Sequence, residues 1–507
     1  MLRRDFLKTG AQAAAISAAV PAGVASASGS VSVTGPHAVD PATPAVLKSY
    51  TAADHRRRLQ NIGLAAHAIS SCLRKHLVTS YLPGQCAYNL GEYPCVKPWN
   101  PDQHDEQELD RLHAHGIQLV QLFDESNDSL RLFGGHKLTP LNPDGLRRFV
   151  ELAHRRGIKV ITYASTGWLQ YKDPDLRPEW YRPGDGVTVG YWDMVRCSPA
   201  SPGWRAYLLP QMVRFLDDFG LDGLYDDWGY IPNSQKRVAT LAKDEVPAFE
   251  ETPTHDGAIT DLLQLVYAEI KRRGGVFKLH CDGANQPQTG GARVYDYLWV
   301  GEGVGAADGL REAVKNHPPY VVPCLDMTFT KIDDDNEPYL HAIPYLQFPL
   351  LQAGRPWTGE RGWVPGVKYP GGENDFWVKR CRAIAAQLKA HPDGPYTYGG
   401  WDSVPGRAET RPTHARWLKQ YLPLVEEGTW AWLEIGQSSL FAGPLPKGVV
   451  VSAFANRELW LVVANYSRSG VEVETTADHV LADQPSSPPG KRWAVPARSL
   501  RILRRSG

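Results

Sequence analysis

Apolar residues along this chain follow two alternating periods. Stretches of charged sequence with helical spacing end at a glycine and give way to four to seven β-prone residues. Asp105–His115 leads through Gly116 to Ile117–Phe123, and Asp144–Arg156 leads through Gly157 to Ile158–Ala164. Trp204–Phe219 leads through Gly220 to Leu221–Asp226, and Ala258–Arg273 leads through Gly274 and Gly275 to Val276–His280. A glycine in that place suits a helix C-cap, and the repeated unit predicts βα modules feeding a parallel sheet. A helix over 52–72 precedes the run Leu77–Leu82, a predicted first strand stopped by Pro83-Gly84. Val294–Val300, Tyr320–Leu325 and Pro344–Leu350 are further apolar runs, and a helix over 375–390 completes the last unit. Eight strands result, the number that closes a (β/α) barrel.

After about Gly428 the texture changes. Val449–Ala455, Leu459–Tyr466, Val471–Glu474, Trp493-Ala494 and Leu500–Ile502 are short strand-like runs parted by Asn, Ser, Gly and Pro, with no helical period between them. The expected fold is therefore α/β: a (β/α)8 TIM barrel over 50–427 followed by a small C-terminal antiparallel β-sandwich over 428–507, a lid or buttress for the barrel.

The first residues read as an address. Arg3-Arg4-Asp5-Phe6-Leu7-Lys8, an Ala-rich run to Val24 and the small-x-small triplet Ala25-Ser26-Ala27 resemble a twin-arginine export signal over 1–28, although Leu2 stands where Ser or Thr is usual. Residues 29–49, rich in Ser, Pro, Ala and Val, read as a linker. The expectation is a chain that works in the periplasm or outside the cell. No later run approaches the roughly 20 apolar residues of a membrane span.

Composition narrows the partners. Lys+Arg and Asp+Glu are both 55, which leaves no net positive charge to track a phosphate backbone, so nucleic acid is not expected. Sixteen Trp and 22 Tyr suit flat faces that stack on sugars and equally suit large cores. Seven cysteines show no Cys-x-x-Cys spacing, against a structural zinc or redox motif, and are expected as thiols. Neither a cofactor nor a metal is expected, and the oligomeric state stays open.

The chemistry gathers at the predicted strand ends, where barrels place their active sites. Asp124 and Glu125 follow the second strand, Trp168 the third, Asp226, Asp227 and Trp228 the fourth, His280 and Asp282 the fifth, Glu302 the sixth, Asp326 the seventh and Trp357 the eighth. On the fourth strand, Asp222, Leu224 and Asp226 share one face at period two, while Tyr225 and Asp227 take the other. Glycoside hydrolysis needs two facing carboxyl groups, one ionised and one protonated. Asp226 fits the first role, and Glu302, between Gly301 and Gly303 and near Trp299, fits the second. The remaining tip residues are candidates for binding substrate, a carbohydrate.

The stretch Asp222-Gly223-Leu224-Tyr225-Asp226-Asp227-Trp228-Gly229 resembles the fourth-strand nucleophile motif of retaining α-glycosidase barrels of the α-galactosidase and endo-α-N-acetylgalactosaminidase type. That resemblance implies a retaining glycosidase with Asp226 as nucleophile. It leaves the acid/base open: the α-galactosidases have an Asp where Glu302 stands, and the endo-enzymes have a Glu where His280-Cys281-Asp282 stands. The stretch Arg196–Trp204 is also similar to exported bacterial glycosidase-like proteins.

Two other classes use the same residues. A divalent-metal barrel isomerase or hydrolase would take His280, Asp282, Glu302 and Asp326 as ligands. A non-catalytic sugar-binding barrel would keep Trp168, Tyr171, Trp228 and Trp357 and need no acid pair.

Overall fold

The computed structural model describes residues 50–91, 100–122, 138–140, 142–170, 173–180, 194–227, 255–280, 293–300, 311, 315, 321–323, 334–356, 372–374, 376–394 and 410–506. In chain order the strands are β1 (Cys72–Leu77), β2 (Gln85–Leu90), β3 (Leu119–Leu122), β4 (Lys159–Ala164), β5 (Trp168–Gln170), β6 (Met194–Arg196), β7 (Gly223–Asp226) and β8 (Val276–His280). They continue as β9 (Tyr297–Val300), β10 (Val321–Pro323), β11 (Leu351–Arg355), β12 (Trp430–Ile435), β13 (Val449–Ala455), β14 (Leu459–Asn465), β15 (Val471–Leu481), β16 (Gly490–Val495) and β17 (Ser499–Arg505). The chain divides into two units, one of Met1–Tyr81, Ile343–Leu346 and Lys419–Gly507, the other of Leu82–Ala342 and Gln347–Leu418.

The larger unit is built on eight parallel strands in the order β10-β9-β8-β7-β4-β3-β2-β11. Its last strand returns to pair with its first, Leu351 opposite Cys86. The curl of the sheet is visible in its side chains. Neighbouring strands lie about 4.8 Å apart, yet the rings of Tyr225 on β7 and Trp299 on β9 come within 4.6 Å with β8 between them. A sheet concave towards that face accounts for so close an approach. On the opposite face Tyr88 packs on Phe149 of the Pro143–His154 helix at 4.8 Å, and its hydroxyl donates to Asp105 of the Gln103–His115 helix at 2.7 Å. Helices therefore cover the convex side. A β10–β11 pairing is not seen among the described residues, and the architecture is a curled parallel sheet with helices outside.

Two expected strands are displaced. The run Leu77–Leu82 is not the first parallel strand; Leu77 ends β1, which pairs antiparallel with β12, and Pro83-Gly84 precedes β2 where it was expected to stop a strand. Gly84 is there for close approach, since a Cβ would lie 2.3 Å from the Gly116 oxygen. β2, Gln-Cys-Ala-Tyr-Asn-Leu, is buried at every position, so it shows no polar alternation to find. The eighth strand is β11 and begins after the predicted run Pro344–Leu350, whose start is a 3-10 turn followed by Leu346 at φ 59°.

The smaller unit is one antiparallel sheet of seven strands, β1-β12-β13-β14-β17-β15-β16, where two facing sheets were expected. β15 divides its pairing between β16 and β17 with a register shift between Glu474 and His479. The helix Ala52–Ala68, expected to open the barrel, belongs here. Its Ile62 and Ala65 join Trp432, Val451, Leu461 and Val463 in the core. Thr51 and Asp54 form its capping box. Among the described residues no helix is long and apolar enough to cross a membrane, and Cys72 and Cys86 are free thiols.

Candidate active site

The Pro202–Phe219 helix delivers the central strand. Ser201 accepts from the Trp204 amide at its start, Pro202 takes the first turn, and Gly220 closes it in the left-handed region at φ 63°. Asp222 then fixes the beginning of β7: its carboxylate accepts from the Val160 amide on β4 at 2.8 Å and lies 2.7 Å from His154 and 3.2 Å from Lys159. Gly223 follows at φ 149°, and a Cβ there would lie 1.8 Å from the Val276 oxygen, so no side chain fits between β7 and β8.

At the far end the two adjacent acids part. Asp226 and Asp227 are both fully buried, so exposure does not separate them; direction does. Asp226 stands opposite Ala164 of β4 in register and turns towards the loop after that strand. Its Oδ1 accepts from the Thr166 amide at 2.9 Å and its Oδ2 from the Thr166 hydroxyl at 2.8 Å. The Thr166 carbonyl in turn accepts from the indole of Trp204 at 2.9 Å, on the helix side of the sheet. Asp227, one residue on, lies on the concave side with Tyr225. Its Oδ1 is 2.6 Å from Nδ1 of His280, and the Tyr225 hydroxyl lies 3.1 Å from the same nitrogen. An ionised carboxylate only accepts, so with Asp227 ionised the hydrogen of this pair sits on Nδ1.

An aromatic floor lies under that pair. Trp299 stacks on His280 at 5.8 Å and tilts against Tyr225 at 4.6 Å, and Tyr163 meets Tyr225 edge-on at 6.0 Å. Lys278, in register with Tyr225 and Tyr297, is fully buried, with its ammonium 6.0 Å from the Trp299 ring centre. A buried cation is costly alone and is most favourable close to anions and π-faces. His280 is the most open member, with its side chain 12% exposed against 1% for Asp227.

Of the residues expected from the strand ends, the structure brings together Asp227 and His280. It places Asp226 beside them in sequence and away from them in space. Trp168 is buried in the two-stranded β5–β6 ribbon, 2% exposed, so its indole is part of a wall and presents no open stacking face. Asp124, Glu125, Tyr171, Trp228, Asp282, Glu302, Asp326 and Trp357 lie outside the described residues. Among the described residues no group of three or more His, Cys, Asp and Glu is arranged to hold a metal ion. Sequence reasoning missed Thr166, Tyr225 and Lys278 as parts of this constellation. A lysine in the middle of the otherwise apolar run Val276–Leu279 was the available signal, since such a strand has no solvent to offer it.

No protein-family model matches the chain, and no curated protein sequence matches it. Solved structures do. The trehalulose synthase MutB of Pseudomonas mesoacidophila aligns over 83% of this chain and 98% of its own at 10% identity, with a TM-score of 0.51. An α-amylase of Geobacillus thermoleovorans aligns over 84% and 97% at 11% identity and TM-score 0.46. The GH36 α-galactosidase AgaA of Geobacillus stearothermophilus aligns over 84% of this chain and 56% of its own at 9% identity and TM-score 0.49. At such identities the likeness is one of fold. The chain shares the α/β architecture of the trehalulose synthase.

Proposed function

We propose that this protein is a glycoside hydrolase whose closed (β/α)8 barrel works on a carbohydrate at the concave tip of β7, β8 and β9. The observation that supports it is Asp227: a carboxylate at the C-terminal end of a central parallel strand, oriented by His280 at 2.6 Å over a floor of Tyr225 and Trp299. The likeness in fold to a sugar-converting enzyme supports the same reading.

In this proposal Asp227 takes the nucleophile's part that the motif suggested for Asp226. Asp226 instead directs both its oxygens to Thr166 on the other side of the sheet. Glu302, two residues beyond the end of β9, is the proposed acid/base of a retaining mechanism of the α-galactosidase type. The His280 hydrogen bond stabilises the Asp227 anion, and the buried aromatic floor excludes water from around it, which strengthens the interaction between that anion and a developing oxocarbenium charge. The proposal includes export by the twin-arginine route, for which Arg3 and Arg4 are the support.

The experiment is a panel of 4-nitrophenyl α- and β-glycosides with wild type and Asp227→Asn, following the anomer of the released sugar by NMR. Hydrolysis by the wild type, lost in the variant, is expected. Equal rates for the two proteins would overturn the assignment.

A further inference from the structure

Why does a chain keep a second, fully buried carboxylate beside the first? Burying an ionised group costs several kcal/mol unless hydrogen bonds replace its water, and a loop can be fastened without one. The contacts of Asp226 show what it is fastened to. Thr166 uses all three of its polar groups in one line: its carbonyl accepts from Trp204, and its amide and hydroxyl both donate to Asp226. Trp204 is itself fully buried, with the rings of Trp180 and Tyr207 packed on it at 5.7 and 5.8 Å. The next link is the main chain, where the Asp227 amide donates to the Ala164 oxygen at 2.9 Å. A buried helix core is thus joined through Thr166 and Asp226 to the backbone that carries Asp227.

We infer that Asp226 is a positioning residue: gripped at both oxygens by Thr166, it fixes the peptide unit between residues 226 and 227 and thereby the aim of the Asp227 carboxylate at His280. This rests on Asp227 as the reactive acid. It assigns the paired acids separate tasks, one structural and unreactive and the other chemical.

The test exploits the fact that an amide can satisfy the same grip. In Asp226→Asn the Oδ1 still accepts from the Thr166 amide, and the new NH2 donates to the Thr166 hydroxyl oxygen. Asp226→Ala loses both bonds, and Thr166→Val loses the hydroxyl one while Thr166→Ser keeps it. On an activated aryl glycoside that the wild type hydrolyses, kcat is expected to stay within about 10-fold in Asp226→Asn and within about 2-fold in Thr166→Ser. It is expected to fall about 100-fold in Asp226→Ala and about 10-fold in Thr166→Val, with KM nearly unchanged, as a misaimed group of roughly 1 Å predicts. A second readout needs no activity. In 15N-histidine NMR the Nδ1–H resonance of His280, identified by its loss in His280→Gln, is expected to move in Thr166→Val as it moves in Asp227→Asn, and to stay in place in Thr166→Ser.

Loss of turnover in Asp226→Asn as complete as in Asp227→Asn would make Asp226 a reactive group and overturn the inference. So would an unmoved His280 resonance in Thr166→Val. If Asp226→Ala fails to fold, the two Thr166 variants decide alone. Should the wild type hydrolyse no glycoside at all, the glycosidase reading fails while the resonance still decides the positioning role.

Discussion

Asp227, just past the end of β7, and His280, the last residue of the adjacent β8, stand one register step beyond the Asp226–Leu279 pair, and their side chains meet at 2.6 Å on the concave face of the sheet. Groups held by strands are aimed more tightly than groups held by loops, which makes this pair the natural fixed point for a reaction.

If Asp227 attacks an anomeric carbon, Asp227→Asn loses at least about 1000-fold in kcat on every substrate. Glu302→Ala loses little on substrates whose leaving group needs no proton, and added azide raises its rate by trapping the glycosyl intermediate. Steady-state rates on 2,4-dinitrophenyl and 4-nitrophenyl glycosides, with and without azide, check both. Azide rescue of Asp282→Ala with wild-type behaviour of Glu302→Ala would move the acid/base to the end of the fifth parallel strand.

Acid sensitivity is expected from a histidine pair outside the site. His414 is fully buried and donates from Nε2 to the Pro349 oxygen at 3.2 Å, so its Nδ1 is free of hydrogen and accepts from Nε2 of His115 at 2.7 Å. Burial first, and then the charges of His115 and Arg411, hold His414 well below its ordinary value; burial, followed by the charge of Arg411, brings His115 down to about 4. Both are neutral when folded. The unfolded chain binds their protons from about pH 6.5 downwards, so stability is complete above that pH and is lost as pH falls towards 4. Glu108 nearby is pushed up by burial, but its bonds to Arg411 and the Gly354 amide outweigh this and hold it low, so its contribution is lost only at still more acid pH. His115→Gln, which keeps a donor for His414, is expected to flatten the slope of urea midpoint against pH between 6.5 and 4.5. An unchanged slope would count against the pair.

Gly223→Ala is expected to destabilise the parallel unit by more than about 3 kcal/mol, since a Cβ would collide with backbone and the strained φ admits no relief. Thermal unfolding of the full chain measures it. A melting temperature equal to wild type would mean that β7 and β8 separate more readily than their register implies.

Arg3→Lys with Arg4→Lys is expected to leave the precursor in the cytoplasm, because a translocase reads the arginine pair and not merely its charge. Fractionation followed by immunoblotting checks it, and undiminished export would remove the twin-arginine proposal.

Much of the parallel sheet was legible because charged amphipathic helices alternate with short apolar runs, and the glycines at 116, 157, 220 and 274 punctuate them. The period-two alternation even separated Asp226 from Asp227 by face. What it could not supply was which face is concave, because a strand buried on both sides has no polar side to mark the outside. Gln85–Leu90 escaped for the same reason, and so did β12, where every residue of Trp430–Ile435 except Glu434 is buried. Thr166 was invisible: its role depends on Trp204, Asp226 and a loop meeting in space, and no spacing along the chain encodes that.

Asp222 accepts from the amide of Val160, and Asp296 does the same for Phe277 at 2.9 Å, so β7 and β9 each begin with an acid that latches onto the neighbouring strand. Latches of this kind set phase. A slip of one residue along β7 would carry Asp226 to the concave side and Asp227 to the helices, exchanging the two tasks outright. The choice of which aspartate meets a substrate is therefore made roughly 16 Å away, at the foot of the strand, by an acid that never approaches the reaction.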